Sequence, residues 1–364
     1  MKIFAINPGS TSTKVALFEN GKCLFSNMVR HPSEELSKYI TLGEQLPFRA
    51  ASINETLEKN CVDVSDCDAF VGRGGGLLPM EGGVYEVTDL VIKHSIGGAN
   101  GVQHPAQLGP TLARRFAEAN GTRAFVVNPP DTDELCASAR MTGIDGVYRH
   151  VHLHALNLKE TAIRHAESLG KRYDECNFVV CHIGGGISVS AHQHGKMIDG
   201  NDIVGGEGPM APTRCGGVPV IEILDYLETG HTVAEVRKLC MKTGGFESLT
   251  GTSDTLELLR RAEGGDKKCA RAWSAMEYQL FKEIGAMAAA LKGKVDGILL
   301  GGGMVYNEGL VADIKDACGW IAPVTAYPGE FEMEAMAAGA ERVLSGKEKL
   351  KLYTGVPVFV GFSD

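Results

Sequence analysis

Residues 3–22 read IFAINPGSTSTKVALFENGK. Ile3 to Ile6 form an apolar run that leads into a turn of small polar residues, and Val15 to Phe18 form the apolar run that leads out. Two short strands joined by such a turn make a hairpin whose backbone a ligand can approach, because glycine tolerates positive φ and carries no side chain. A turn of this kind suits an anion. Lys14 stands at its far end, where it either adds positive charge or points away to pair with a surface acid.

The pattern recurs about half a chain later. Residues 178–196 read FVVCHIGGGISVSAHQHGK. Each stretch shows an apolar strand, one polar residue (Asn7 or His182), a small-residue turn, a second apolar strand and a closing Gly-Lys. Duplication of a whole domain explains that spacing. Two facing hairpins that present backbone N–H groups would make a phosphate clamp between domains.

The rest of the chain supports an α/β fold of about two domains. Its 364 residues are 44% hydrophobic and 22% charged, enough for two cores. Short apolar strands are expected at 3–7, 14–19, 68–72, 124–128, 177–183, 187–192, 296–300 and 356–362. Helical periodicity marks 109–119, 155–169, 221–228, 232–242, 268–292 and 331–345, with Gly293 as the expected C-cap of the fifth. Strands and helices alternating in this way point to α/β. The net charge of −9 argues against nucleic acid as the main partner. The ten cysteines include no CxxC pair, so a zinc cluster is not expected and reduced thiols are. No apolar run reaches the ~18 residues of a membrane span, and no segment has the make-up of a signal peptide. The expectation is a cytoplasmic protein without a membrane partner.

The motifs resemble those of the acetate and butyrate kinase family. AINPGSTSTK at 5–14 fits that family's first signature, and VVCHIGGGISVSA at 179–191 fits its second. VGRGGGLLP at 71–79, GVQHPAQLG at 101–109, RHVHLHALN at 149–157 and GEGPMAPTRCGGVP at 206–219 look like further blocks. So do GILLGGGMVYNEGL at 297–310 and YPGEFEMEAMAAGAERVL at 327–344. The HALN and PGExEM wording favours the butyrate branch. This resemblance implies two duplicated actin-like (ribonuclease H-like) α/β domains with the active site in the interdomain cleft. The expected domains are 1–130 with 335–364, and 131–334.

What the resemblance implies chemically is reversible ATP-dependent phosphorylation of a short-chain carboxylate, butyrate first, to an acyl phosphate and ADP. The acceptor carboxylate is already ionised at neutral pH, so the site needs cations and donors rather than a general base. By resemblance Arg73 and Arg214 flank the carboxylate and the phosphoryl, where planar guanidinium groups bind both bidentately. Arg149 is a further candidate. His154 matches the histidine that hydrogen-bonds the transferring phosphoryl, although His150 and His152 lie close enough to share or take that role. His104 aligns with another family histidine. Asn7, Ser10, Ser12 and Lys14 belong to the first phosphate loop; His182, Gly184, Gly185, Gly186 and Ser188 to the second; Gly301, Gly302 and Gly303 to the adenosine block. Mg²⁺ is expected with ATP. Its protein ligands are expected at Asn128, which stands where the family has Asp, and at Glu330, with Asp131, Asp133 and Glu332 as alternatives. A homo-oligomer, dimer or larger, is implied as well.

Other classes fit less well. A sugar kinase needs a base on a hydroxyl acceptor, whereas two arginines beside glycine blocks suit a carboxylate. An actin- or chaperone-like nucleotide switch would use ATP to gate shape, but no peptide-binding segment follows the last block. Neither GxxxxGK[ST] nor GxGxxG after a strand occurs.

Overall fold

The computed structural model describes residues 1–362. They form two compact units, one of Met1–Asp133 together with the stretch from Phe331 onward, the other of Glu134–Glu330. Each unit is built on one mixed sheet.

In the first unit β1 (Lys2–Pro8), β2 (Ser12–Glu19) and β3 (Lys22–Arg30) form an antiparallel meander. The other edge of β1 pairs in parallel with β4 (Ala69–Gly72), β4 with β6 (Arg123–Val127), and β5 (Val84–Glu86) closes the sheet antiparallel to β6. The order is β3-β2-β1-β4-β6-β5. β1 has buried residues on both faces, the mark of a central strand covered on both sides. Phe4 and Ile6 join Leu112 and Phe116 of the helix Gly109–Ala119 in one core. There the Phe4 ring lies 6.0 Å from Phe70 and 5.9 Å from Phe116, edge-on or tilted. The helix Glu332–Leu344 also packs on β1, β4 and β6.

In the second unit β7 (Asn177–Ile183), β8 (Ile187–Gln193) and β9 (Lys196–Gly200) repeat the meander. β10 (Gly297–Gly302) lies parallel between β7 and β11 (Val324–Pro328), giving the order β9-β8-β7-β10-β11. The helix Lys267–Ala290 lays Met276, Leu280, Ile284 and Met287 against this sheet's core, four residues at the i, i+4, i+8, i+11 spacing of one helical face. A meander followed by parallel strands on the far edge of its first strand is thus present twice. The echo between the two glycine hairpins is the echo of a repeated α/β sheet.

Some local expectations are corrected. Residues 356–362 form no strand: Val356, Val358 and Val360 are exposed, and Pro357 cannot donate to a ladder. β3, β5, β9 and β11 were not expected, because edge strands with mixed or partial burial carry weak alternation. The segment 232–242 divides into an α-helix, Val233–Lys238, and a π-turn, Leu239–Thr243. The helix Lys267–Ala290 ends on Leu291, Lys292 (φ 57°) and Gly293 (φ 70°) both follow in the left-handed region, and the Gly293 N–H closes the motif on Ala288 O at 2.9 Å. Among the described residues no helix is long and apolar enough to cross a membrane.

Candidate active site

Each unit carries its own pocket beside its glycine hairpin. In the first unit Asn7 and Lys14 are directly opposite in the β1–β2 ladder, so their side chains share one face. Asn7 Nδ2 donates to Glu332 Oε2 at 2.6 Å, and the other oxygen of Glu332 lies 3.6 Å from Arg73 Nε. Lys14 lines the same cavity of about 290 Å³, with Gly9, Ser12, Arg73, His104 and Glu332, and makes no ion pair among the described residues. The exposed Lys14 side chain thus lies on the pocket side of the hairpin. Ser10 is exposed at the tip of the turn and outside the cavity lining.

Arg73 follows β4 and is fixed by its N–H, which donates to Ile6 O at 2.9 Å. Its guanidinium is buried, and Nη1 has no acceptor among the described residues. A buried donor left without a partner is costly, and an anion is a group that would satisfy this one. Gly109 allows the arrangement: a Cβ there would fall 2.2 Å from Arg73 O. His104 is held as a helix cap, its Nδ1 accepting from the Ala106 N–H at 3.2 Å.

Behind the hairpin, His31 Nε2 and Thr13 Oγ1 are 2.8 Å apart. Burial, reinforced by Arg49, pushes the His31 imidazole down to about 4. The unfolded chain, with an ordinary value near 6.5, takes up this proton first. Stability from this group is therefore complete above about pH 6.5 and is lost as pH falls toward 4. Thermal melts between pH 7 and 4 are expected to show this fall, and His31→Gln to flatten it; an unchanged slope in the variant contradicts the assignment.

In the second unit His154 opens the helix Ala155–Ser168 and meets the glycine loop directly. Its Nδ1 lies 2.8 Å from the buried Ser188 Oγ, and its ring stacks on His182 with centroids 4.0 Å apart. His182 Nε2 is 3.9 Å from Glu330 Oε1. His152 turns to Asp202 (3.6 Å) and His150 is exposed, so His154 is the member of the trio that joins the loop. Arg214 lies over the same turn. A Cβ on Gly186 would meet its Nη1 at 1.2 Å, and Thr213 Oγ1 donates to Gly185 O at 3.2 Å. Arg214 Nε and Nη1 are buried without an acceptor among the described residues. Burial lowers the guanidinium's affinity for its proton, partly offset by Asp202. Arg149, by contrast, is committed to Asp199 and Glu207 at 3.0 Å each and to two carbonyls; it is a brace.

The three glycines at 301–303 are placed differently. Gly301 and Gly302 belong to β10; Gly302 has φ +100°, and a Cβ there would lie 2.4 Å from Ile183 O. Gly303 lines a cavity of about 520 Å³ with Gly184, Gly185, Leu256, Leu259, Tyr306, Asn307 and Glu330. The wall formed by Ser253, Thr255, Leu256 and Leu259 escaped the sequence reading. Its only signal was an apolar i, i+3 pair on a polar helix, with Leu256 79% exposed.

Among the described residues no three His, Cys, Asp or Glu side chains are assembled to hold a metal ion. Asn128 is buried, with φ 38°, and exchanges both hydrogen bonds with Gly83: Oδ1 accepts at 2.7 Å and the N–H donates at 2.9 Å. It closes a turn. Mg²⁺ usually keeps several waters and takes one or two carboxylates besides substrate phosphates. The half-exposed carboxylate of Glu330 fits an ion that arrives on a nucleotide.

A family model described as the acetokinase family matches residues 142–321. A protein named probable butyrate kinase, from Clostridium botulinum (strain Alaska E43 / Type E3), is 44% identical over 97% of this chain and 99% of its own. Butyrate kinase 2 of Clostridium acetobutylicum is 42% identical over the same shares. Among solved structures, the acetate kinase of Porphyromonas gingivalis superimposes with a TM-score of 0.77 at 20% identity, over 94% of this chain and 99% of that one. That likeness shows a shared fold.

Proposed function

Because the chain belongs to the acetokinase family, we propose that it transfers the γ-phosphoryl of ATP to butyrate, reversibly, giving butyryl phosphate and ADP. The observation that carries the reading is a pair of guanidinium groups, Arg73 and Arg214, each beside a glycine hairpin with Nη1 buried and unaccepted. Carboxylate and phosphate are the groups a planar fork of N–H donors binds best. No general base is required, since the acceptor is already ionised; what the reaction needs is charge neutralisation and exclusion of water.

In this reading Arg73 and its pocket hold the acceptor carboxylate and the arriving phosphoryl. Asn7 and the Gly9–Ser12 turn donate to phosphate oxygens. Arg214 and His154 donate to the transferring group, with Ser188 setting the orientation of the His154 ring. Gly184–Gly186 and the 520 Å³ cavity take the nucleotide. A magnesium ion carried by ATP would neutralise phosphate charge, with Glu330 the carboxylate that fits it. The relatives named for butyrate favour a four-carbon acid. Acetate and butyrate differ by two methylenes, each worth ~0.8 kcal/mol of burial, so preference is a matter of degree. The reading also places the reaction in the cytoplasm, in a homo-oligomer of two or more copies.

Trapping with hydroxylamine across linear and branched acids of two to five carbons is expected to give hydroxamate most rapidly with butyrate. A different acid in first place would move the assignment within the family. No hydroxamate with any acid, while ATP still binds, would overturn it.

A further inference from the structure

Under the Gly9–Ser12 turn lies an arginine that none of these roles uses. Arg49, in the helix Leu46–Lys59, is 0% exposed. Its Nη1 donates to Ser12 O and Thr13 Oγ1, both at 3.1 Å; Nη2 donates to Ser10 O at 3.3 Å; Nε donates to Gln45 Oε1 at 3.0 Å. Among the described residues no carboxylate pairs with it. A fully buried guanidinium is rare, and one without a counter-charge is expensive to keep.

The consequences reach the outer face of the turn. Thr11 O accepts from the His31 N–H at 2.8 Å, and Ser12 O accepts a second bond from the Gly9 N–H at 2.7 Å. Every carbonyl from Ser10 to Ser12 is thus tied inward, while the N–H groups of Ser10 and Thr11 have no protein acceptor among the described residues. The turn is polarised: acceptors face the body of the unit and donors face out. His31, held neutral by burial, adds no charge behind it. Backbone donors backed by a fixed positive charge in a low-dielectric setting bind an anion more strongly than the same donors alone.

We infer that Arg49 is a positioning residue for nucleotide binding, locking the Gly9–Ser12 turn with its donors outward and setting an unneutralised positive charge behind them. The identity of the anion as ATP phosphate rests on the carboxylate-kinase reading. A residue that merely filled the core would affect both substrates through stability. A residue that serves the phosphate turn affects one of them.

The experiment compares Arg49→Met and Arg49→Lys with the unmodified chain for KM of ATP, KM of butyrate and melting temperature. Arg49→Met is expected to raise KM for ATP at least tenfold, with KM for butyrate within threefold, and millimolar guanidinium ion is expected to restore part of the ATP affinity. Arg49→Lys keeps the charge without the three-way fork and is expected to fall between the two. It also carries the test if the methionine variant does not fold. Unchanged KM for ATP in either folded variant overturns the inference, and so does a parallel rise of both KM values without guanidinium rescue. If the unmodified chain makes no acyl phosphate, the kinase reading fails by itself. Calorimetric binding of ADP and of inorganic phosphate to the unmodified chain and Arg49→Lys then decides the role of Arg49: weaker binding in the variant upholds it, and equal binding overturns it.

Discussion

Arg214→Ala is expected to lower kcat/KM for acyl phosphate formation by about 10³-fold, ~4 kcal/mol of transition-state stabilisation, the scale of removing one preorganised donor from developing oxyanion charge. The guanidinium presses on Gly186 so closely that no Cβ fits there, and its Nε and Nη1 are buried with no acceptor among the described residues. Such donors cost stability in the empty protein and return it only when an anion arrives. Two signatures should therefore separate. Activity falls steeply, while the melting temperature holds or rises, because burial already disfavours this charge. Lysine should not restore the rate, since a point charge cannot supply the planar fork. Near-normal turnover in Arg214→Ala would remove it from the site, and a collapsed fold would make it a brace like Arg149.

Arg73→Ala comes next, with an expected loss of about 10²–10³-fold in kcat/KM, ~3–4 kcal/mol. Here the environment differs, because Glu332 lies 3.6 Å from Nε and is itself held by Asn7. Removing the arginine deletes a donor and leaves that carboxylate facing the pocket, where it repels an incoming carboxylate or phosphoryl. The loss should accordingly include a raised KM for the acid. Arg73→Ala combined with Glu332→Gln should recover part of that KM but not kcat, because the repulsion is gone and the donor is still missing. Steady-state kinetics on the single and double variants read this directly. Normal kcat in Arg73→Ala, or no difference between the single and double variants in KM for the acid, would contradict the assignment.

The two proposals about arginine differ in how readily the chain displays them. Arg73 and Arg214 sit within glycine-rich blocks, and runs of glycine in a soluble α/β chain already ask what approaches the backbone. Arg49 sits in an ordinary amphipathic helix, in the stretch LPFRAASINETLEK, where an arginine reads as a solvated residue. Only the fold turns that position inward, onto carbonyls 37 and 39 residues earlier in the chain. The same holds for Glu332, which reads as a helix N-terminal acid and is found bridging Asn7 and Arg73. The three neighbouring histidines show the complementary limit. Two-residue spacing on an extended segment sends alternate side chains in similar directions, and only the placement of Ser188 and His182 against His154 distinguishes them.

From the sequence alone came the α/β class, the two glycine hairpins and their repetition. These rest on local rules: apolar runs of strand length, small residues where the backbone must turn, and helical spacing of core residues. Such rules act within a few residues and are written in the chain. The edge strands β3 and β11, the buried cation under the first turn, the pocket-facing position of Lys14 and the turn-closing role of Asn128 were decided by tertiary structure. In each case the outcome depends on which distant group lies opposite: a carbonyl for Arg49, Gly83 for Asn128, and for Lys14 a pocket rather than an acid. A charge or an amide takes its role from the partner that folding brings to it.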